Sequence, residues 1–131
     1  MKKNFGTDFL MCGISGWCME CLWTGVGSFV TKDRCLSCKT SIWMFPIYGM
    51  AACLSPICKK ISGKSTAFRG SVYMLCIYGA EYATGRLLKK HKACPWDYSH
   101  TRFHYRGVIR LDYAPAWFLA GLFYEKLLTR P

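Results

Sequence analysis

Two carboxylates fall where carboxylates are costly. Glu20 interrupts the apolar run 9–31 and Glu81 interrupts the run 68–88. An ionisable side chain inside such a run faces protein or a wet cavity, and is the usual place to hold a proton, a cation or a polar solute. Small residues surround the first: Gly13, Gly16, Thr24 and Gly27 recur at helical spacing on the stripe that carries Glu20, and such a stripe lets a second element approach closely. The second sits in the series Tyr78, Glu81, Tyr82, Gly85, spaced i, i+3, i+4, i+7 on one helix face. Arg86, Arg110 and Asp112 are the nearest charges that can complete a polar constellation with Glu81. Each carboxylate has an equally simple structural use, as a hydrogen bond or salt bridge that fixes helix registry.

The elements that must position these residues are long and apolar. Residues 40–58 form a run of 19 without a formal charge, bracketed by Lys39 and Lys59-Lys60. A helix needs about 20 residues, at 1.5 Å each, to cross the hydrocarbon core. Weaker runs cover 9–31, 68–88 and 108–128, the last carrying Arg110, Asp112, Glu125 and Lys126. The pattern predicts an all-α protein: a four-helix transmembrane bundle with short loops, one integral membrane domain over residues 1–131. The apolar residues of the first run favour insertion by roughly 3 kcal/mol together, and a central carboxylate costs about as much. That segment therefore needs partners that shelter Glu20.

Composition agrees. The chain is 52% hydrophobic and 19% charged, which excludes an intrinsically disordered chain. Its 9 cysteines are an odd number, so a closed disulfide framework is excluded. The +11 charge is spread over every loop, where it suits anionic headgroups; with no groove-reading motif, nucleic acid is not an expected partner. Lys2 and Lys3 imitate the start of a secretory signal, but Asp8 and Glu20 interrupt it and no A-x-A-like site follows; an uncleaved first helix is expected. Lysine and arginine divide evenly between alternate loops, so orientation is open.

Three motifs tempt other chemistry. Cys18-Met-Glu-Cys21 and Cys35-Leu-Ser-Cys38 approach a zinc-ribbon spacing. One pair lies mid-span and the other in a loop, roughly 20 Å away along a helix, so no metal is expected. Trp96-Asp97-Tyr98-Ser99-His100 contains Asp, Ser and His. Neighbours in a loop rarely converge on one atom, and no nucleophile elbow is present; an Asx-turn at Asp97 in an interfacial aromatic loop is the simpler expectation. Pro46 and Pro56 interrupt the second run and predict a kink there. In an up-down bundle Arg86, Asp97, Arg110 and Asp112 share one membrane face with Glu81 and Glu20 beneath them. The expectation is a polar vestibule in which Arg110 or Arg86 pairs with Glu81 or Asp112.

Gly16-Trp17-Cys18-Met19-Glu20, Pro46-Ile47-Tyr48-Gly49, Glu81-Tyr82-Ala83-Thr84-Gly85, Cys94-Pro95-Trp96-Asp97-Tyr98-Ser99, Gly107-Val108-Ile109, Leu111-Asp112-Tyr113-Ala114 and Trp117-Phe118 follow in order. This sequence resembles the transmembrane protein 229 family and the related bacterial family of putative ABC transporters, type IV, over roughly residues 13–128. The bacterial form usually reads Gly-Arg-Ile where this chain has Gly107-Val108-Ile109. The resemblance implies a multi-pass helical membrane protein and no particular reaction. A Walker A motif is absent from the sequence, so any transport role is that of a membrane subunit or accessory. Three functions fit the residues: a small module binding a cation, proton or polar solute in the vestibule; a non-catalytic assembly or scaffold protein; and an enzyme acting on a lipid headgroup through Asp97 or Glu81, with Arg86 or Arg110 on the phosphate. No cofactor is expected. The expected partners are the lipid bilayer and a second copy or another membrane subunit.

Overall fold

The computed structural model describes residues 4–130; Lys2 and Lys3 lie outside them. The chain is predominantly helical. Helix α1 (Phe5–Val30) starts at Asn4, whose side chain accepts from the Thr7 amide at 2.8 Å. Among the described residues it is the one helix both long and apolar enough to cross a membrane. Only 17% of its apolar window is buried. A core helix of a water-soluble domain would hide most of that surface; Leu22, Trp23, Val26, Phe29 and Val30 stay exposed. Such a face needs lipid or a protein partner.

The other three expected spans take different forms. Residues 40–58 are not one kinked helix. They break into a non-helical stretch, α2 (Met44–Gly49), a 3-10 turn (Met50–Leu54) and α3 (Ser55–Lys60). Proline is the cause. Pro46 and Pro56 both sit in the first turn of a short helix, where the missing N–H is not needed. In the interior of a continuous helix each would remove a hydrogen bond and clash with the carbonyl four residues back. Helix α4 (Thr66–Lys90) has the length, 25 residues, and is capped by the Ser65 side chain. It lacks the apolarity, because Arg69, Glu81 and Arg86 fall inside it. The last run is half helix. Val108 belongs to a turn, Ile109–Arg110 is strand β2, and Leu111–Tyr113 is a 3-10 turn. Helix α5 (Ala114–Leu128) holds only 15 residues, or about 22 Å of rise. Pro115 sets its start.

The chain forms two compact units, one up to Ala52 and one from Cys53. In the first, α2 packs on α1. Aromatic rings fill the gaps left by glycines: a Cβ at Gly16 would lie 2.1 Å from the Tyr48 ring, and one at Gly13 2.8 Å from the Phe45 ring. Trp17 packs tilted against Phe45, 4.8 Å between ring centroids. Gly13 and Gly16 thus receive aromatic side chains rather than another helix backbone, while the space beside Gly27 is open. Residues 37–41 double back along α1. The Lys39 amide donates to Thr24 Oγ1 at 2.9 Å, and Trp17 Nε1 donates to the Ser41 carbonyl at 3.0 Å.

In the second unit α4 and α5 pair, with Tyr73 and Leu128 fully buried between them. A Cβ at Gly121 would meet Tyr73 at 2.3 Å. The connection carries a two-residue ladder, β1 (His104–Tyr105) against β2, in the register Tyr105↔Ile109. Arg106 and Gly107 close it with φ of 54° and 72°.

Candidate functional site

Helix α4 turns its tyrosine-rich stripe toward the loop and hairpin that follow it. Each member of the series has a partner there. Tyr78 donates its hydroxyl to the carbonyls of Arg110 and Leu111, both at 3.1 Å. Tyr82 stacks near Tyr105 at 5.8 Å. Gly85 gives way to Val108 and Trp96, whose side chains come within 2.9 and 3.0 Å of where its Cβ would stand. Glu81 lies at the centre. The Tyr98 hydroxyl and the Trp117 indole N–H are the donors beside it. Yet Glu81 Oε2 and Trp117 Nε1 are both shielded from solvent without a direct hydrogen bond of ordinary geometry. Both donors thus stand beside the carboxylate, while its Oε2 takes no direct hydrogen bond.

Aromatic rings wall this spot. Tyr98 meets Tyr113 edge-on at 5.7 Å, and Tyr113 meets Trp117 edge-on at 5.9 Å. On Tyr113 lies the Arg110 guanidinium, 4.5 Å from the ring centroid. Arg110 also reaches Asp112 Oδ1 at 2.8 Å and the Tyr113 hydroxyl at 3.2 Å. The structure therefore brings together Glu81, Arg110, Asp112 and Tyr98, and the pair that forms is Arg110 with Asp112. Arg110 and Asp112 stand in the strand and turn before α5, not in its first turns. Arg86 is exposed on the surface of α4 beside Leu87, and no ion pair links it to Glu81 among the described residues.

The Trp96–Ser99 segment is built locally. Asp97 Oδ1 accepts from the Ser99 amide at 3.0 Å, the expected Asx-turn, and pairs with Lys89 Nζ at 3.3 Å. These hydrogen bonds hold the Asp97 carboxyl at about 2, the Ser99 backbone amide first among them. Gly107 leaves room for this pair: its Cβ would stand 2.6 Å from Lys89 Nζ. Trp96 Nε1 donates to the Val108 carbonyl at 3.0 Å. Cys94 donates its thiol to the Trp96 carbonyl, and burial pushes that thiol above its usual range. The Asp97 and Ser99 side chains interact, but no hydrogen bond among the described residues ties the His100 side chain to either, so no triad is assembled.

Glu20 belongs to the other unit. Its Oε2 accepts from the Tyr48 hydroxyl at 2.8 Å, with Thr40 as a further side-chain partner. Residue reasoning missed a third polar cluster. Glu125 on α5 takes Arg69 Nε of α4 at 2.9 Å and the Tyr73 hydroxyl on the same oxygen. Arg69 also donates to the Lys64 carbonyl at 2.6 Å. The signal was present as opposite charges in two apolar runs, but their register depends on where α5 begins. The cysteine motif also needs correction. The doubling back at 37–41 brings Cys38 to Cys21, against the separation expected along a continuous helix. No group of three or more metal-ligating side chains converges among the described residues.

Comparison with known proteins adds the family. No solved structure matches the chain. A family model described as Putative ABC-transporter type IV matches residues 7–131, from the third residue of α1 past the end of α5. This is the bacterial side of the resemblance carried by the sequence motifs, and its description is that of transporter-related membrane proteins. With a match of that extent, the chain belongs to the Putative ABC-transporter type IV family.

Proposed function

We propose that this protein is a small membrane subunit or accessory module of a transport system, and that the Glu81 site binds a cation, a proton or a polar solute. One observation carries the reading. The acidic side chains of the second unit other than Glu81 each hold a cationic partner: Glu125 has Arg69, Asp97 has Lys89, Asp112 has Arg110. Glu81 is left without an ion pair among the described residues, and its Oε2 is shielded and unbonded. A carboxylate so placed takes either a proton or a cation from outside, because an uncompensated charge in low dielectric is costly. The rings of Tyr98, Tyr113 and Trp117 add faces that attract cations.

The test uses the full chain in lipid nanodiscs. Intrinsic tryptophan fluorescence is titrated with sodium, potassium, tetramethylammonium and protons in separate arms, for the wild type and Glu81→Gln. One arm should produce a saturable change in the wild type that Glu81→Gln loses. Equal responses from both proteins in every arm would remove the reading.

A second reading has its own observation. The exposed apolar face of α1 at Leu10, Ile14, Leu22 and Val26 fits a neighbouring helix as well as it fits lipid. The protein would then act in assembly, with Glu81 fixing the fold of its loop. Crosslinking through cysteines introduced at Ile14 and Val26 would give discrete dimers or a partner band.

A further inference from the structure

Residues 32–40 are almost wholly exposed and carry no regular secondary structure. Even so, they lie along the last third of α1. Thr24 Oγ1 accepts from the Lys39 amide at 2.9 Å and donates to its carbonyl at 3.3 Å. Ser28 donates to the Ser37 carbonyl. Two anchors on successive turns of α1 thus bracket Cys38. These anchors set the Cys38 side chain against the turn of α1 that follows Cys21, and the two thiols are near enough to influence each other. A Cβ at Gly25, one turn beyond Cys21, would stand 3.8 Å from the Cys38 Cβ. Both cysteines are free thiols, Cys38 exposed and Cys21 half-buried. Main-chain groups without internal partners do not rest in hydrocarbon, so this stretch belongs in water or the headgroup layer, where soluble reagents reach it.

We propose that Cys21 and Cys38 form a dithiol site that exchanges with external disulfides and closes to a disulfide pinning residues 37–41 to α1. The co-reactant is a low-molecular-weight disulfide. The exposed Cys38 thiolate attacks one of its sulfurs, its S–S bond breaks, and one thiol leaves. The Cys21 thiolate then attacks the Cys38 sulfur of the mixed disulfide and the second thiol leaves. The protein dithiol is oxidised by two electrons, the external disulfide is reduced to two thiols, and the two protons pass to the leaving thiolates. Other cysteines serve less well. Cys12 and Cys58 are buried, and Cys94 is engaged with the Trp96 carbonyl. Two rivals remain: Cys18, one helical turn before Cys21, and the exposed Cys35, three residues before Cys38.

The full chain in native membranes is treated with a small aromatic disulfide, blocked with a maleimide, digested and mapped. The expected product joins the peptides of Cys21 and Cys38, with loss of two maleimide adducts that dithiothreitol restores. Cys18→Ser should leave that product intact, and Cys38→Ser should abolish it. A dominant Cys18–Cys21 or Cys35–Cys38 link in the wild type overturns the proposal. So does full maleimide labelling of Cys21 and Cys38 after oxidation.

Discussion

At the scale of single residues, the clearest feature is how unequally the carboxylates are served. Asp97 is exposed and yet tied by the Ser99 amide, the Ser99 hydroxyl and Lys89. Its folded value, about 2, lies below the ordinary aspartate value of 3.8. The stabilisation it provides is therefore complete above the unfolded value and disappears as pH falls through about 2. The Ser99 amide resonance should hold steady from neutral pH down to about pH 4 and then move on further acidification. Asp97→Asn should show no such transition, and a transition persisting in that variant would assign it elsewhere. Glu81 is the opposite case: no cation pairs with it among the described residues, and its Oε2 takes no direct hydrogen bond. Its placement beside Tyr98 and Trp117 was beyond a linear reading, because those residues lie 17 and 36 positions further along the chain. The stripe that carries it was legible, since Tyr78, Glu81, Tyr82 and Gly85 share a face by helical period alone.

Between elements, the pairing of α4 with α5 rests on one charged cluster and two glycine contacts, Gly121 against Tyr73 and Gly70 against Phe118. Arg69, Tyr73 and Glu125 converge on a single carboxylate oxygen. Arg69→Gln and Glu125→Gln should each lower the unfolding midpoint. Their double variant should lose less than the sum, with a coupling of about 0.5–3 kcal/mol from a double-mutant cycle in thermal or denaturant unfolding. Additive losses would show that the pair contributes nothing jointly. The errors of the linear reading at this scale have one origin. Hydropathy marks apolar stretches without regard to backbone chemistry, so 40–58 and 108–128 both read as spans. Pro46, Pro56 and Pro115 mark first turns of helices, and reading them as starts rather than kinks recovers α2, α3 and α5. The two-residue ladder had a weaker signal, the turn at Arg106-Gly107, where glycine tolerates the left-handed conformation. The return of residues 37–41 along α1 had none in the periodicity, because polar side chains bonding to main chain direct it.

For the whole molecule, α1 has the length and composition of a crossing helix, and family membership agrees with life at a membrane. Helix α5 is a different object. Its 15 residues rise about 22 Å, several ångströms short of an average hydrocarbon layer of about 30 Å. Lipid that accepts such a rod has to thin around it, or leave one end of it among headgroups. Acyl-chain length then becomes a lever on this protein. Reconstitution in short-chain phosphatidylcholine should raise its thermal midpoint over that in long-chain lipid, and lengthening α5 by four leucines should reverse the order. A helix of fifteen residues seated in lipid would, by the same mismatch, favour thin membranes over thick ones.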